Sequence, residues 1–309
     1  MGTLAPMTAA PLLAGIELGG SKVIVVLGTG PDDTVAELRI PTTTPEETLG
    51  AVVDFLATQR EVGNVPVAAG IASFGPVELR KDHPRYGSIT TTPKPGWSNT
   101  DVLGPVAAAL GGPVGFDTDV NGAALGEGRW GAADELDTFV YLTVGTGIGG
   151  GAVVNGAIAH GLVHAEMGHI AVPHHVDDDF AGVCPFHGAC LEGLASGPAI
   201  AARWGAPGPE LTGTELEDAV ELEAWYLAAG IRSIVYVVAP ERIILGGGVA
   251  GMPGVVPAVR RALRETLAGY PGLPEHGSVD FVVPAGLGSM AGPAGALVLA
   301  DLALQAASA

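Results

Sequence analysis

The chain has 309 residues, 48% of them apolar and 15% charged. That is enough material for two domains with buried cores, and it excludes a disordered or coiled-coil protein. Fourteen Lys and Arg stand against 33 Asp and Glu, a formal charge of −19, and Lys22, Lys81 and Lys94 are the only lysines. This balance repels phosphate backbones and argues against nucleic acid as a partner. A small anionic ligand would have to be held largely by backbone N–H groups.

Two cysteines are too few for a disulfide framework. The N-terminal residues lack a basic region, and Pro6 interrupts the myristoylation pattern, so neither a signal peptide nor a lipid anchor is expected. Residues 138–165 carry no Asp, Glu, Lys or Arg, but seven glycines, Asn155, His160 and His164 divide the stretch into strand-length pieces. No spanning helix is expected there. The expected compartment is the reducing cytoplasm, with no membrane partner.

In chain order, residues 13–18 and 22–27 read as two strands joined by a turn at Gly19, Gly20 and Ser21. A helix is predicted over 45–59 with Thr44 as N-cap, then a buried strand over 67–74 and a polar, proline-rich loop over 78–101. A short helix near 101–110 leads to a strand over 114–117, and a helix over 121–130 opens just after Asp119. A second strand-turn-strand follows: 138–144, a glycine turn over 145–151, and 152–155. Its likeness to the first hairpin hints at a duplicated architecture with a cleft between halves. Residues 173–192 read as irregular, with Asp177, Asp178 and Asp179 as a solvated run. A long helix over 215–238, a strand over 242–245, a helix over 253–268, a strand over 279–283 and a closing helix over 291–307 complete an α/β pattern.

Three glycine turns stand out. Gly15 to Lys22 is a near miss to a P-loop: Ser21 precedes Lys22, and the β-branched run that follows is a strand rather than a helix. Its backbone N–H groups can still form an anion nest; the alternative is an ordinary hairpin turn. Gly145-Thr146-Gly147-Ile-Gly-Gly150 matches G-x-G-x-x-G in form, but a dinucleotide fingerprint must open a helix, and Ala152-Val-Val-Asn-Gly156 does not. Gly246, Gly247 and Gly248 follow a strand and precede a helix, where an open α/β sheet binds ligands and a helix N-terminus faces an anion. Three such turns at strand ends point to a nucleoside triphosphate.

Cys184-Pro-Phe-His187-Gly-Ala-Cys190 offers three metal ligands within seven residues. Zinc prefers four in a tetrahedron, and His160, His164, His169, His174 and His175 are upstream candidates that spacing alone does not separate. The alternative is two free buried cysteines beside a surface histidine. Among the carboxylates, Asp119 follows a strand just before a helix, where it can face a cleft and accept a proton or simply cap the helix. Glu166 and Glu192 flank the Cys/His loop in charge-poor surroundings, as ligand groups or as solvated loop carboxylates. Lys94 faces phosphate or sugar, or is a solvated loop lysine.

Gly15-Ile-Glu-Leu-Gly-Gly-Ser-Lys22, the Asp119 region, Gly145-Thr-Gly-Ile-Gly-Gly150, Glu166-Met-Gly-His169 and Ile244-Leu-Gly-Gly-Gly248 occur in this order. The set resembles the ROK family of sugar kinases across nearly the whole chain. Ser73-Phe-Gly-Pro76, the string from Tyr86 to Trp97, and Cys184-Pro-Phe-His-Gly-Ala-Cys-Leu-Glu-Gly193 resemble the family's bacterial fructokinase branch. Glu17 and Ser21 stand where many relatives carry Asp and Thr, and Thr118 where most carry Asn.

The resemblance implies an actin-like, hexokinase-type fold. Its small domain would comprise 1–117 with 295–309, and its large domain 118–294 with a zinc loop over 169–192. It implies ATP and Mg²⁺ at Gly19, Gly20, Ser21, Lys22, Gly145, Thr146, Gly147, Gly246, Gly247 and Gly248. Asp119 matches the catalytic base; Glu166 and Glu192, with Thr118, match sugar contacts. His169 is singled out as the fourth zinc ligand beside Cys184, His187 and Cys190. The implied reaction is phosphorylation of the fructose 6-hydroxyl, with glucokinase, mannokinase and a non-catalytic sugar-binding protein as alternatives. The implied partners are sugar, nucleotide and a second copy of the chain. Too few residues precede the first motif for the DNA-binding segment of the family's repressors, and the acidic balance opposes one.

Overall fold

A computed structural model describes residues 10–309; the N-terminal reading that includes Pro6 lies outside them. The chain forms two compact units, one of residues up to Gly122 with Gly292–Ala309, the other Ala123–Ala291.

The first unit is built on strands β1 (Leu13–Leu18), β2 (Lys22–Gly30), β3 (Asp33–Pro41), β4 (Ala68–Ser73) and β5 (Val114–Thr118), with helices α1 (Pro45–Glu61) and α2 (Leu103–Leu110). The sheet order is β3-β2-β1-β4-β5. β1 pairs antiparallel with β2 and parallel with β4, and β4 is parallel to β5. β1 and β4 are apolar runs closed in by helices, as parallel strands require. Helix α1 starts where the sequence predicts, with Thr44 Oγ1 accepting the Glu47 N–H at 3.3 Å. Strand β3 is absent from the sequence reading. It is an edge strand with only partly buried alternate residues, so its period-two signal is weak beside the apolar runs around it.

The second unit repeats the plan. After helix α3 (Asp119–Trp130), strands β6 (Phe139–Val144), β7 (Ile148–Val154), β8 (Ala157–Ile158), β9 (Arg242–Gly246) and β10 (Val282–Pro284) pair in the order β10-β9-β6-β7-β8. Numbered within each unit, both sheets follow the order 3-2-1-4-5, with the first hairpin antiparallel and the later strands parallel. The duplication hinted at by the two glycine hairpins is therefore present in the topology. Helices α4 (Leu191–Ala195), α5 (Gly197–Trp204), α6 (Gly213–Val238), α7 (Val255–Leu267) and the closing α8 (Ala291–Ser308) complete the chain. The sequence reading missed α4 and α5, which are short, and set β10 three residues early. Residues 288–308 are apolar and long enough to cross a membrane by length and composition, yet 56% of their most apolar 18-residue window is buried inside the protein. Residues 138–165, the other apolar run, form β6, β7 and β8.

Residues 78–101 lack regular structure but are anchored. Trp97 is fully buried, packs edge-on against Phe74 at 5.2 Å, and donates its indole N–H to Thr43 O at 2.8 Å. Lys94 Nζ donates to Thr42 O at 3.2 Å. That corrects the solvated-lysine alternative: the ammonium ties the loop to the chain leaving β3. Trp97→Ala is expected to cost about 3–5 kcal/mol, the usual result of emptying a buried aromatic site, which urea unfolding followed by far-UV circular dichroism would check.

Candidate active site and metal centre

Strand register decides which residues of the first unit gather. Leu18 pairs with Ser73, and Ser73 with Thr118, so β1, β4 and β5 end in one row. At about 4.8 Å between strands, the first glycine turn and Asp119 leave the same sheet edge roughly 10 Å apart. This carboxyl edge of the parallel strands is where open α/β sheets bind ligands. In the turn, Gly19 N–H donates to Lys22 O at 3.0 Å, while the Thr42 N–H and hydroxyl hold Ser21 O and Gly19 O. Gly20, Ser21 and Lys22 are exposed.

Helix α3 begins at Asp119, but its cap is Thr118, whose buried hydroxyl accepts the Asn121 N–H at 3.1 Å. The capping alternative for Asp119 therefore falls to its neighbour. Asp119 sits in the first helical turn, with Oδ1 accepting the Val120 N–H at 2.9 Å. Asp117 is engaged with the Thr118 N–H and the Asn121 amide at 2.8 and 2.7 Å.

Glu17, on β1, lies below the turn. Its Oε2 is buried without a hydrogen-bond partner, and Gly292 leaves room for the carboxylate where a Cβ would collide with it. Burial raises the Glu17 carboxyl above its ordinary 4.5, against the pull of Lys22 and Arg39. An orphaned buried carboxylate oxygen beside an anion-nest turn is suited to a hydrated divalent cation.

In the second unit, Thr143 pairs with Gly246, so the turns at Gly145–Gly147 and Gly246–Gly248 adjoin. Val249 N–H donates to Val144 O at 2.9 Å. Gly247 has φ +88° and backs directly onto Val144, leaving no space for a side chain. The helix that the sequence places over 253–268, beyond this third turn, is α7, which starts at Val255; residues 249–254 form turns, so no helix N-terminus follows Gly248 directly. The second turn closes after Gly147, and Gly149, Gly150 and Gly151 lie inside β7. A 3₁₀ turn at Met167–His169 packs on this strand and requires glycine at two points: Gly150 backs onto the Met167 side chain, and Gly168 onto the Ile148 carbonyl.

That close approach positions Glu166 and His169 at the two ends of one short turn. Glu166 keeps 44% of its side chain exposed, with His164 Nδ1 at 3.4 Å from Oε1. His164, considered in the sequence only as a metal candidate, is thus a buried neighbour of Glu166 instead. Glu192, the second residue of α4, directs Oε2 to the Ile148 N–H at 3.0 Å.

His169, Cys184, His187 and Cys190 bring one ligand atom each to within 4.8 Å of one another. Cys184 Sγ lies 3.7 Å from both His169 Nδ1 and His187 Nδ1, and Cys190 Sγ 3.5 Å from His169 Nδ1. A tetrahedral zinc with Zn–S of about 2.3 Å and Zn–N of about 2.0–2.1 Å demands S···N edges near 3.6 Å. The cluster fits that ion. Burial pushes the Cys190 thiol up to about 11; a bound cation would reverse that sign and take the thiolate. A reciprocal pair of backbone bonds between Cys184 and Gly188, at 3.2 and 2.9 Å, shapes the knuckle. His160, His174 and His175 stay outside the cluster.

The aspartate run is not simply solvated. Asp178 accepts the Tyr226 hydroxyl at 2.5 Å and Arg203 at 3.1 Å. Burial pushes the Asp178 carboxyl up, but Tyr226, the Phe180 N–H and Arg203 outweigh it, and it lies below its ordinary value. Arg203 also donates to Leu194 O at 3.0 Å, which ties the loop to α4. The sequence carries no signal for this clamp, whose members lie up to 48 residues apart.

A model of the ROK family matches residues 13–303. Over 290 residues the chain is 47% identical to a fructokinase of Zymomonas mobilis subsp. mobilis, covering 92% of this chain and 95% of that one. A ROK hexokinase from Thermus thermophilus superposes with a TM-score of 0.77 at 29% identity, covering 96% of this chain and 99% of that one. A ROK family glucokinase from Streptomyces griseus, in complex with glucose and AMPPNP, gives 0.74 at 26% identity over 94% and 99%. The chain belongs to the ROK family, and its paired sheets have the actin-like, hexokinase-type α/β fold.

The raised Glu17 carboxyl has a signed consequence for stability. Folding disfavours its ionised form, so unfolding free energy falls as pH rises from 4.5 through the raised folded value. Glu17→Gln is expected to remove that slope and to exceed the native chain in stability at about pH 7. Urea midpoints between about pH 4 and 8 would check this.

Proposed function

We propose that the protein is an ATP-dependent hexose kinase that phosphorylates D-fructose on its 6-hydroxyl. The observation that carries the reading is near-full-length identity of 47% with a fructokinase. Asp119 on the same strand-end row as the first glycine turn supports the kinase chemistry.

Asp119 accepts the proton of the 6-hydroxyl as that oxygen attacks the γ-phosphorus. The new O–P bond forms, the bond to the β-phosphate bridging oxygen breaks, and ADP leaves with that electron pair. Base assistance of this kind contributes about 10²–10⁴-fold, and positioning supplies much of the remainder. Glu166 and Glu192 accept hydrogen bonds from sugar hydroxyls. Thr118, whose oxygen already caps α3, has its hydroxyl hydrogen to donate to a sugar oxygen. Backbone N–H groups of Gly20, Ser21, Thr146 and Gly147 face phosphate oxygens, with Lys22 as the one lysine beside them; the Gly19 and Gly145 N–H groups close their own turns onto Lys22 O and Gly147 O, and Gly246, Gly247 and Gly248 line the nucleotide. Glu17 would hold water bound to Mg²⁺. When bound, Mg²⁺ neutralises phosphate charge and orients the γ-phosphoryl group.

His169, Cys184, His187 and Cys190 would hold a structural zinc. Their four positions are all taken by protein, which leaves no place for a catalytic water. The zinc would fix the loop that leads into α4 and so the placement of Glu192. Cytoplasmic residence and a homodimer belong to the same reading and rest on the family resemblance.

A coupled ADP-release assay across fructose, glucose, mannose and N-acetylated hexosamines tests the substrate. Fructose should give the highest kcat/KM; a preference for glucose would replace this reading with a glucokinase. Asp119→Asn should retain folding and fructose binding while turnover falls by about 10²–10⁴-fold; near-normal turnover would remove Asp119 from the chemistry. Metal analysis should find about one zinc per chain, lost in Cys184→Ser together with a raised KM for fructose.

A further inference from the structure

Glu192 is engaged on more than one side within its unit. Cys190 is the N-cap residue of its helix α4, and Arg203 holds the far end of that helix through Leu194 O. The carboxylate itself reaches the second glycine turn: Oε2 accepts the Ile148 N–H at 3.0 Å. The other end of the turn is tied to the same segment, because Gly197 N–H donates to Gly145 O at 2.7 Å. Turn 145–147 and residues 192–197 are therefore joined at two points by hydrogen bonds, one of them charge-assisted.

A carboxylate has two oxygens. With Oε2 committed to the Ile148 amide, Oε1 is the atom left for a sugar hydroxyl. Gly147 preserves this arrangement: a Cβ there would stand 2.7 Å from Glu192 Oε2 and 3.5 Å from its Cδ, and Gly147 is not among the glycines with positive φ. Glycine is thus needed at 147 for the carboxylate rather than for the backbone.

We infer that Glu192 is shared between the two substrates, carrying sugar occupancy through the Ile148 amide to the turn that receives phosphate, so that hexose and nucleotide bind with positive coupling. The inference rests on the assignment of Glu192 to the sugar and of turn 145–147 to the phosphates. A hydroxyl on Oε1 immobilises the carboxylate; the immobilised carboxylate holds the Ile148 amide and the turn in one arrangement. The second ligand then meets a turn already ordered by the first. Coupling of this kind is reciprocal, each ligand raising the affinity of the other by the same factor. Gly147 and Ile148 act here as positioning residues.

Calorimetric titration of the zinc-loaded full chain with fructose, with and without Mg²⁺ and AMPPNP, reads the coupling factor directly. The native protein should bind fructose at least about fivefold more tightly with the analogue present, and the analogue should gain the same factor from fructose. In Gly147→Ala the added methyl displaces the carboxylate, and the factor should fall to near one while both ligands still bind and zinc content stays unchanged. Glu192→Asp, one methylene short, should do the same and decides the matter if Gly147→Ala loses zinc or unfolds. A factor of one in the native protein, or a native-like factor in the deciding variant, overturns the inference. Should glucose bind and fructose not, the substrate assignment fails by itself, and the same titrations with glucose still decide the coupling. Failure of both sugars to bind overturns both.

Discussion

Parallel pairing of β1, β4 and β5 places Leu18, Ser73 and Thr118 in one row, and the chemistry of the first unit depends on that row. Residues 45 or more apart in sequence reach the same edge because each strand stops where its neighbour stops. One residue past the row stand Gly19 on one side and Asp119 on the other. A slip of one residue in either pairing would turn every side chain of the strand to the opposite face. The second unit repeats the device, with Thr143 against Gly246 bringing two glycine turns together.

Charge sets the next constraint. A chain of −19 with three lysines has little side-chain charge to offer an anion, so main-chain amides at strand ends are the available donors. Amides become available only where side chains are absent or turned away, and the glycines serve that need unequally. Gly20 and Gly248 face open space, whereas Gly150 is pressed by the Met167 side chain, Gly168 by the Ile148 backbone, and Gly247 has a positive φ. The glycine-rich string from 145 to 151 is thus half turn and half strand, with Gly147 bounded by the Glu192 carboxylate and Gly150 by the Met167 side chain.

The Cys/His loop shows how an irregular segment is made definite. Its ligand atoms converge at edges suited to a tetrahedral ion, and Asp178, Arg203 and Tyr226 hold its outer arm. Arg203 links that arm to α4 through Leu194 O, so the loop, the helix bearing Glu192 and the glycine turn form one connected set. Order here comes from side-chain contacts rather than from secondary structure.

Sequence alone determined the strongly periodic helices, the buried apolar strands, the duplicated hairpins and the short motif strings that mark the family. All of these depend on local composition or on neighbours within a few residues. It left β3 unseen because half-exposed edge strands carry little apolar contrast, and it passed over α4 and α5 because helices this short are specified by packing more than by propensity. Tertiary structure alone decided that Thr118 rather than Asp119 caps α3, that Lys94 is tied to Thr42, that His164 sits beside Glu166, and that Asp178 is clamped instead of solvated. Each of those outcomes turns on hydrogen-bond partners brought close by strand register and helix packing, and no spacing along the chain encodes which of several polar neighbours will be the nearest.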